Sequence, residues 1–89
     1  MDENAFFQDL LLAVEQQLRS PQTPYVAKTF TRLTSQGMSE KDAKEQIAAC
    51  LGEETDTMYR RKAVFDEKRY RTLLENIDPS AKLESDEEE

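Results

Sequence analysis

The residues able to do chemistry in this chain are few. There is no histidine and a single cysteine, Cys50, so neither Ser-His-Asp nor Cys-His machinery can be assembled. A tetrahedral zinc site of the usual ligands is excluded for the same reason. The adjacent carboxylates Glu53 and Glu54 could serve acid–base work in a cleft. Neighbouring residues of a helix do not share a face, however, so they read as a solvated pair. They also lack the Glu-x-x-His partners of a carboxylate-bridged metal centre. Cys50 falls on the apolar side of its segment and reads as a small buried hydrophobe. The two glycines are isolated, so no phosphate-cradling loop exists. These absences predict a non-enzymatic protein with no cofactor and no bound metal.

Charge is the remaining chemical signal. The net charge is −7, a general handicap toward nucleic acid and anionic lipid. Six of the twelve cations nevertheless fall in one stretch: Arg60, Arg61, Lys62, Lys68, Arg69 and Arg71, interleaved with Tyr59, Phe65 and Tyr70. That stretch is the candidate partner-binding segment. Two other fates compete with partner binding. Arg69 and Arg71 could pair with Glu67 and Glu75 on the same helix, or the stretch could touch phosphates as a weak nucleic-acid site. The chain finishes Glu84-Ser85-Asp86-Glu87-Glu88-Glu89. Such a run aids solubility, and it could also lie across the basic stretch as an internal competitor.

The elements that position these residues are helical. Ala, Leu, Glu, Gln, Lys and Arg dominate, and apolar residues make up 37% of the chain. A chain of 89 residues is one domain with a modest core, burying roughly 60–65% of its unfolded surface. The first helix spans about 4–19, capped by Asp2 or Asn4, with Phe6, Phe7, Leu10, Leu11, Val14 and Leu18 on its apolar face. Ser20-Pro21-Gln22-Thr23-Pro24 is a loop, with Thr23 as N-cap and Pro24 first in the second helix. That helix carries Val26, Phe30 and Leu33 and ends near Gln36. Gly37-Met38-Ser39 is a tight turn: glycine for the left-handed ending, Met38 for the apolar contact, and Ser39 with Asp42 as a short capping box. The third helix runs from Glu40 to about Lys62, with Gly52 either tolerated at a close helix contact or marking a kink. Asp66 caps the fourth, Phe65 and Tyr70 form a hydrophobic staple, and Asp78-Pro79 stops it.

These elements predict an all-α protein: a small four-helix, up-down-type bundle over residues 1–78 with a disordered acidic C-terminal tail over 79–89. The expected core is Phe6, Leu10, Val14, Val26, Phe30, Leu33, Ile47, Leu51, Met58, Phe65, Tyr70, Leu73, Leu74 and Ile77. The N-terminus is acidic where a secretory signal is basic, and no apolar run can span a bilayer. A cytoplasmic protein with no membrane partner is expected. The functional expectation is a protein-interaction or regulatory module, self-association included, with weak nucleic-acid binding through residues 60–71 as the alternative.

Arg32-Leu33, Gly37-Met38-Ser39, Ala43, Ile47-Ala48, Glu54, Phe65-Asp66-Glu67, Arg69-Tyr70 and Leu73-Leu74 together give the chain a likeness. Over about half its length it resembles small bacterial all-helical proteins of unassigned function, which implies a helical fold and no particular activity. The turn at Gly37-Met38 is also similar to the first loop of ubiquitin-associated three-helix domains. The aromatic residue usual after that glycine is missing, and the long first helix lies outside their pattern.

Overall fold

The computed structural model describes residues 3–79. The expected caps of the first helix, Asp2 and the Asn4 side chain, lie outside what is described, as does the acidic segment from residue 80. Four helices follow in order: α1 (Glu3–Arg19), α2 (Pro24–Ser35), α3 (Glu40–Arg61) and α4 (Glu67–Glu75). No strand occurs among the described residues, and the chain is an all-α four-helix bundle. Pro79, grouped with the tail by its sequence, sits half-buried in a turn.

Local chemistry explains the boundaries. Gly37 takes φ +105° and leaves α2 through a backbone hydrogen bond from Met38 N–H to the Leu33 carbonyl. Met38 then folds into the core at 8% exposure, and the Ser39 hydroxyl accepts from Asp42 N–H at 3.0 Å. No atom would obstruct a Cβ at Gly37, so its cost is purely one of backbone conformation. Gly37→Ala is expected to lower stability by about 1–2 kcal/mol, because an L residue is strained at this φ. A denaturant midpoint that does not move would contradict that account of the turn.

At α4, the Asp66 carboxylate accepts from Arg69 N–H at 3.2 Å, and the Phe65 and Tyr70 rings meet edge-on, 5.6 Å apart. Thr23 departs from expectation. It occupies the N-cap position before Pro24 but makes no cap bond. Its hydroxyl donates instead to the Gln17 carbonyl at 2.9 Å, which also accepts from Ser20 N–H where α1 ends.

The core joins Leu10, Val14, Val26, Leu33, Ile47, Leu51, Tyr70, Leu74 and Ile77, with Met38, Ala43 and Ala48 filling the spaces between them. Phe30, Met58 and Leu73 are half-buried rather than central. Phe6 and Phe65 are corrections, at 50% and 39% exposed. At 100° per residue, Phe6 stands about 80° around α1 from Val14, on the margin of the stripe, and Leu12 stands about 160° away. Phe65 covers Tyr70 with one edge and leaves the rest to solvent.

Helix α3 is continuous and central. A Cβ at Gly52 would lie 2.9 Å from Leu10 Cδ1, so the glycine lets α1 approach closely. Leu10 meets α3 at Gly52, and Glu15 pairs with Lys44 at 3.0 Å. α1 therefore crosses α3 in the opposite sense. Helices α2, α3 and α4 alternate in direction: Glu54 of α3 reaches Arg69 of α4, and Cys50 reaches Leu73. α2 and α4 run parallel, with Tyr25 beside Glu67 and Arg32 beside Leu74 and Ile77.

Candidate functional site

The charged residues of α3 and α4 sort themselves around one buried carboxylate. Glu54 lies on the core side of α3, in register with Ile47 and Leu51, and its side chain has no accessible surface. Its solvated reading is therefore overturned: only Glu53 faces outward. The Glu54 carboxylate accepts from Arg69 Nε at 2.7 Å and from a second Arg69 nitrogen at 3.1 Å. It also accepts from Asp66 N–H at 3.0 Å. The two-pronged guanidinium matches the two carboxylate oxygens. Arg69 hydrogen bonding holds the Glu54 carboxyl below its ordinary value of 4.5, against the burial that would raise it. The same contact holds Arg69 firmly protonated. This is a structural clamp on the connection between α3 and α4. Three hydrogen bonds from two residues, Arg69 and Asp66, engage the carboxylate.

The six cations consequently do not form one stripe. Arg69 is spent inward, on Glu54 and on Asp66 at 3.6 Å, not on Glu67 or Glu75. Arg60 pairs with Asp56 one turn back at 2.8 Å. Arg71 lies over the Tyr25 ring, 5.2 Å from its centre, and makes no ion pair with Glu67 or Glu75. Arg61, Lys62 and Lys68 remain exposed. Lys62 ends α3 in the left-handed conformation, φ 53°, which turns the chain sharply toward Asp66. Arg61 and Lys62 thus stand at the α3 end of the domain, and Arg71 faces α2.

The α3 end also carries exposed apolar side chains. Tyr59 in the last turn of α3 is 74% exposed and Val64 in the connection that follows is 83%, with Phe65 next to it at 39%. Arg61 and Lys62 border these side chains along the chain and make no ion pair among the described residues. On α1, Phe6 is exposed as well, at 50%.

A second surface feature lies between the parallel helices α2 and α4. It is a groove of about 520 Å³ whose walls include Tyr25, Lys28, Arg32, Arg71 and Leu74. Arg32 donates to the Leu74 carbonyl at 3.0 Å and the Ile77 carbonyl at 3.4 Å, closing the C-terminal end of α4. The Tyr25 hydroxyl donates to Glu67 at 2.8 Å. Burial, reinforced by that carboxylate, pushes the Tyr25 hydroxyl up to about 12. Lys28 and Arg32 belong to another helix than the basic stretch, so they lie outside the candidate partner-binding segment. Their four-residue spacing places both on one face of α2, a signal the sequence carries.

The single cysteine faces the α3–α4 contact. Cys50 is half-buried against the core and its thiol donates to the Leu73 carbonyl at 3.6 Å. Burial, with the nearby Glu53 charge, pushes the thiol up to about 11, the reverse of what a reactive thiolate needs. No cluster of three or more metal-ligating side chains occurs among the described residues, and no helix there is long and apolar enough to cross a membrane. No protein-family model, curated protein or solved structure matches the chain.

Proposed function

We propose that the protein is a small non-catalytic interaction module, and that its contact surface is the α3 end of the domain. One observation carries this reading. Val64, Tyr59 and Phe65 stay exposed at the end of α3 and in the connection that follows it, and Arg61 and Lys62 stand among them along the chain without ion-pair partners among the described residues. Aromatic residues and arginine are the types that anchor protein interfaces. The partner that fits is a protein segment combining apolar and acidic side chains, and a second copy of the acidic chain is one candidate. Cytoplasmic residence, and the likeness to small bacterial helical proteins, belong to this same proposal.

The test uses a surface variant that spares the core. Val64→Glu with Tyr59→Glu is expected to keep the melting temperature within a few degrees, since both positions are exposed. Wild-type protein at micromolar concentration should sediment as more than a monomer, or retain a partner from its native extract. The double variant should lose that association by tenfold or more. Association that survives the double variant would place the interface elsewhere.

The exposed Tyr59 ring among Arg60, Arg61 and Lys62 also favours a second reading, a weak single-stranded nucleic-acid platform that combines stacking with phosphate contact. The acidic balance of the chain opposes it. A mobility shift with single-stranded oligonucleotides at 50 mM salt separates the two, because such binding must weaken steeply as salt rises.

A further inference from the structure

We propose that the α2–α4 groove is the docking site of the chain's own acidic segment, residues 80–89, held by Lys28, Arg32 and Arg71. The groove is distinct from the α3 end, and nothing in this inference depends on what binds there.

Three cations from two helices face the groove, in a protein of net charge −7. Arg32 spends its donors on neutral carbonyls, so its charge is not cancelled. Arg71 rests on the Tyr25 ring and has no carboxylate partner among the described residues. Lys28 makes no hydrogen bond or ion pair there either. Two carboxylates also line the groove. Glu67 is engaged by the Tyr25 hydroxyl, and Glu75 is the one opposing charge left free at the rim. The surplus is positive.

Position and length select the occupant. Arg32 touches the Ile77 carbonyl, so it stands where the chain leaves α4, two residues before Pro79. Residues 80–89 include five carboxylates against one lysine, a net −4. Ten residues extend about 33 Å, whereas the nine residues of α4 rise only about 13 Å. A turn back after Asp78-Pro79 therefore lays Glu84 to Glu89 along Lys28 and Arg71 with length to spare. Leu83 would arrive near the apolar floor at Leu74. The basic residues Arg61 and Lys62 lie beyond the far end of α4, a longer excursion that ends on a smaller charge cluster. Tethering makes even a weak contact persistent, because the local concentration of a short linked segment is in the millimolar range.

The experiment compares the full chain with a full-length variant whose tail is neutralised: Glu84→Gln, Asp86→Asn, Glu87→Gln, Glu88→Gln and Glu89→Gln. Backbone and arginine side-chain NMR shifts should differ between them mainly at Tyr25, Lys28, Arg32 and Arg71. Wild-type shifts at those positions should move to the variant's values as salt rises to about 0.5 M, where exposed charges are screened within a few ångströms. Lys28→Glu with Arg71→Glu in the full chain should give the same end state. A synthetic peptide of residues 80–89 should bind the neutral-tail variant about tenfold or more tightly than wild type at low salt, because the native tail competes. Differences confined to residues 76–79, or centred on Arg60 to Lys62, would overturn the proposal. The salt titration of unaltered protein decides the matter even if a variant folds poorly.

Discussion

Glu54→Ala is expected to destabilise the protein by about 2–3 kcal/mol, a large part of the few kcal/mol available to a domain of this size. The carboxylate accepts two bonds from Arg69 and one from Asp66 N–H. Its removal leaves that N–H without a partner and releases the α3–α4 connection. Breaking a fully enclosed ion pair would cost more. Here Arg69 is 36% exposed, so the freed guanidinium swings into water and the loss is discounted for that screening. The opposite truncation should hurt more. Arg69→Met leaves the Glu54 carboxylate buried with no counter-charge, the costlier orphan.

The two variants also separate by pH. In the native protein the Glu54 carboxyl is held below its ordinary 4.5, so a carboxylate protonates less readily folded than unfolded. Its stabilising contribution is complete above about pH 4.5 and is lost as pH falls through the lower, folded value. In Arg69→Met, burial is opposed only by the weaker Asp66 N–H bond, and the carboxyl rises. That variant should gain stability as pH falls from 7 toward 5, while wild type does not. Urea denaturation at pH 7, 6 and 5 measures this directly. Parallel pH profiles for the two proteins would mean that Glu54 is not the charge Arg69 neutralises.

Tyr70→Ala should cost about 3–5 kcal/mol, at the upper end for a buried aromatic, and Tyr70→Phe about 1–2 kcal/mol. The ring has no accessible surface. It packs edge-on against Phe65 at 5.6 Å and Tyr25 at 6.0 Å, and its hydroxyl donates to the Gln17 side chain of α1 at 2.7 Å. Burial pushes the pKa of that hydroxyl well above the ordinary tyrosine range, so it remains a donor at any physiological pH. One side chain thus ties α4 to α1, α2 and the preceding connection. A helix of nine residues has too few turns to persist alone, and its docking depends on this ring together with Leu74. Hydrogen exchange should therefore show the α4 amides losing protection first in Tyr70→Ala. Uniform loss across all helices would mean that α4 is not a separately docked element.

Features written over three to five residues were legible before the fold was known. Ser39 and Asp66 are caps because each side chain reaches an N–H three residues on. Gly37-Met38 ends α2 through conformational freedom and one apolar contact. Phe65 and Tyr70 staple within a single turn. The pattern of Leu10 and Val14, or Ile47 and Leu51, marks a core face without specifying what covers it. Phe6 shows the weakness of that reading, since a residue at the margin of an apolar stripe is buried only if a neighbour happens to extend over it.

The amino-acid sequence by itself determined four helices, their turns and a chain without histidine-based chemistry, because each is set by residue types within a few positions of one another. The tertiary structure alone decided the destination of the charges. Glu53 and Glu54 are indistinguishable until α4 folds back and brings Arg69, fifteen residues away, onto one of them. The basic stretch looks continuous along the chain, yet three helices distribute it: Arg69 inward, Arg71 onto the ring of Tyr25, Arg61 and Lys62 to the exposed end. Lys28 and Arg32 join Arg71 only because α2 and α4 lie parallel. Coulomb and hydrogen-bond partners are chosen by distance in space, which a linear order of residues does not contain.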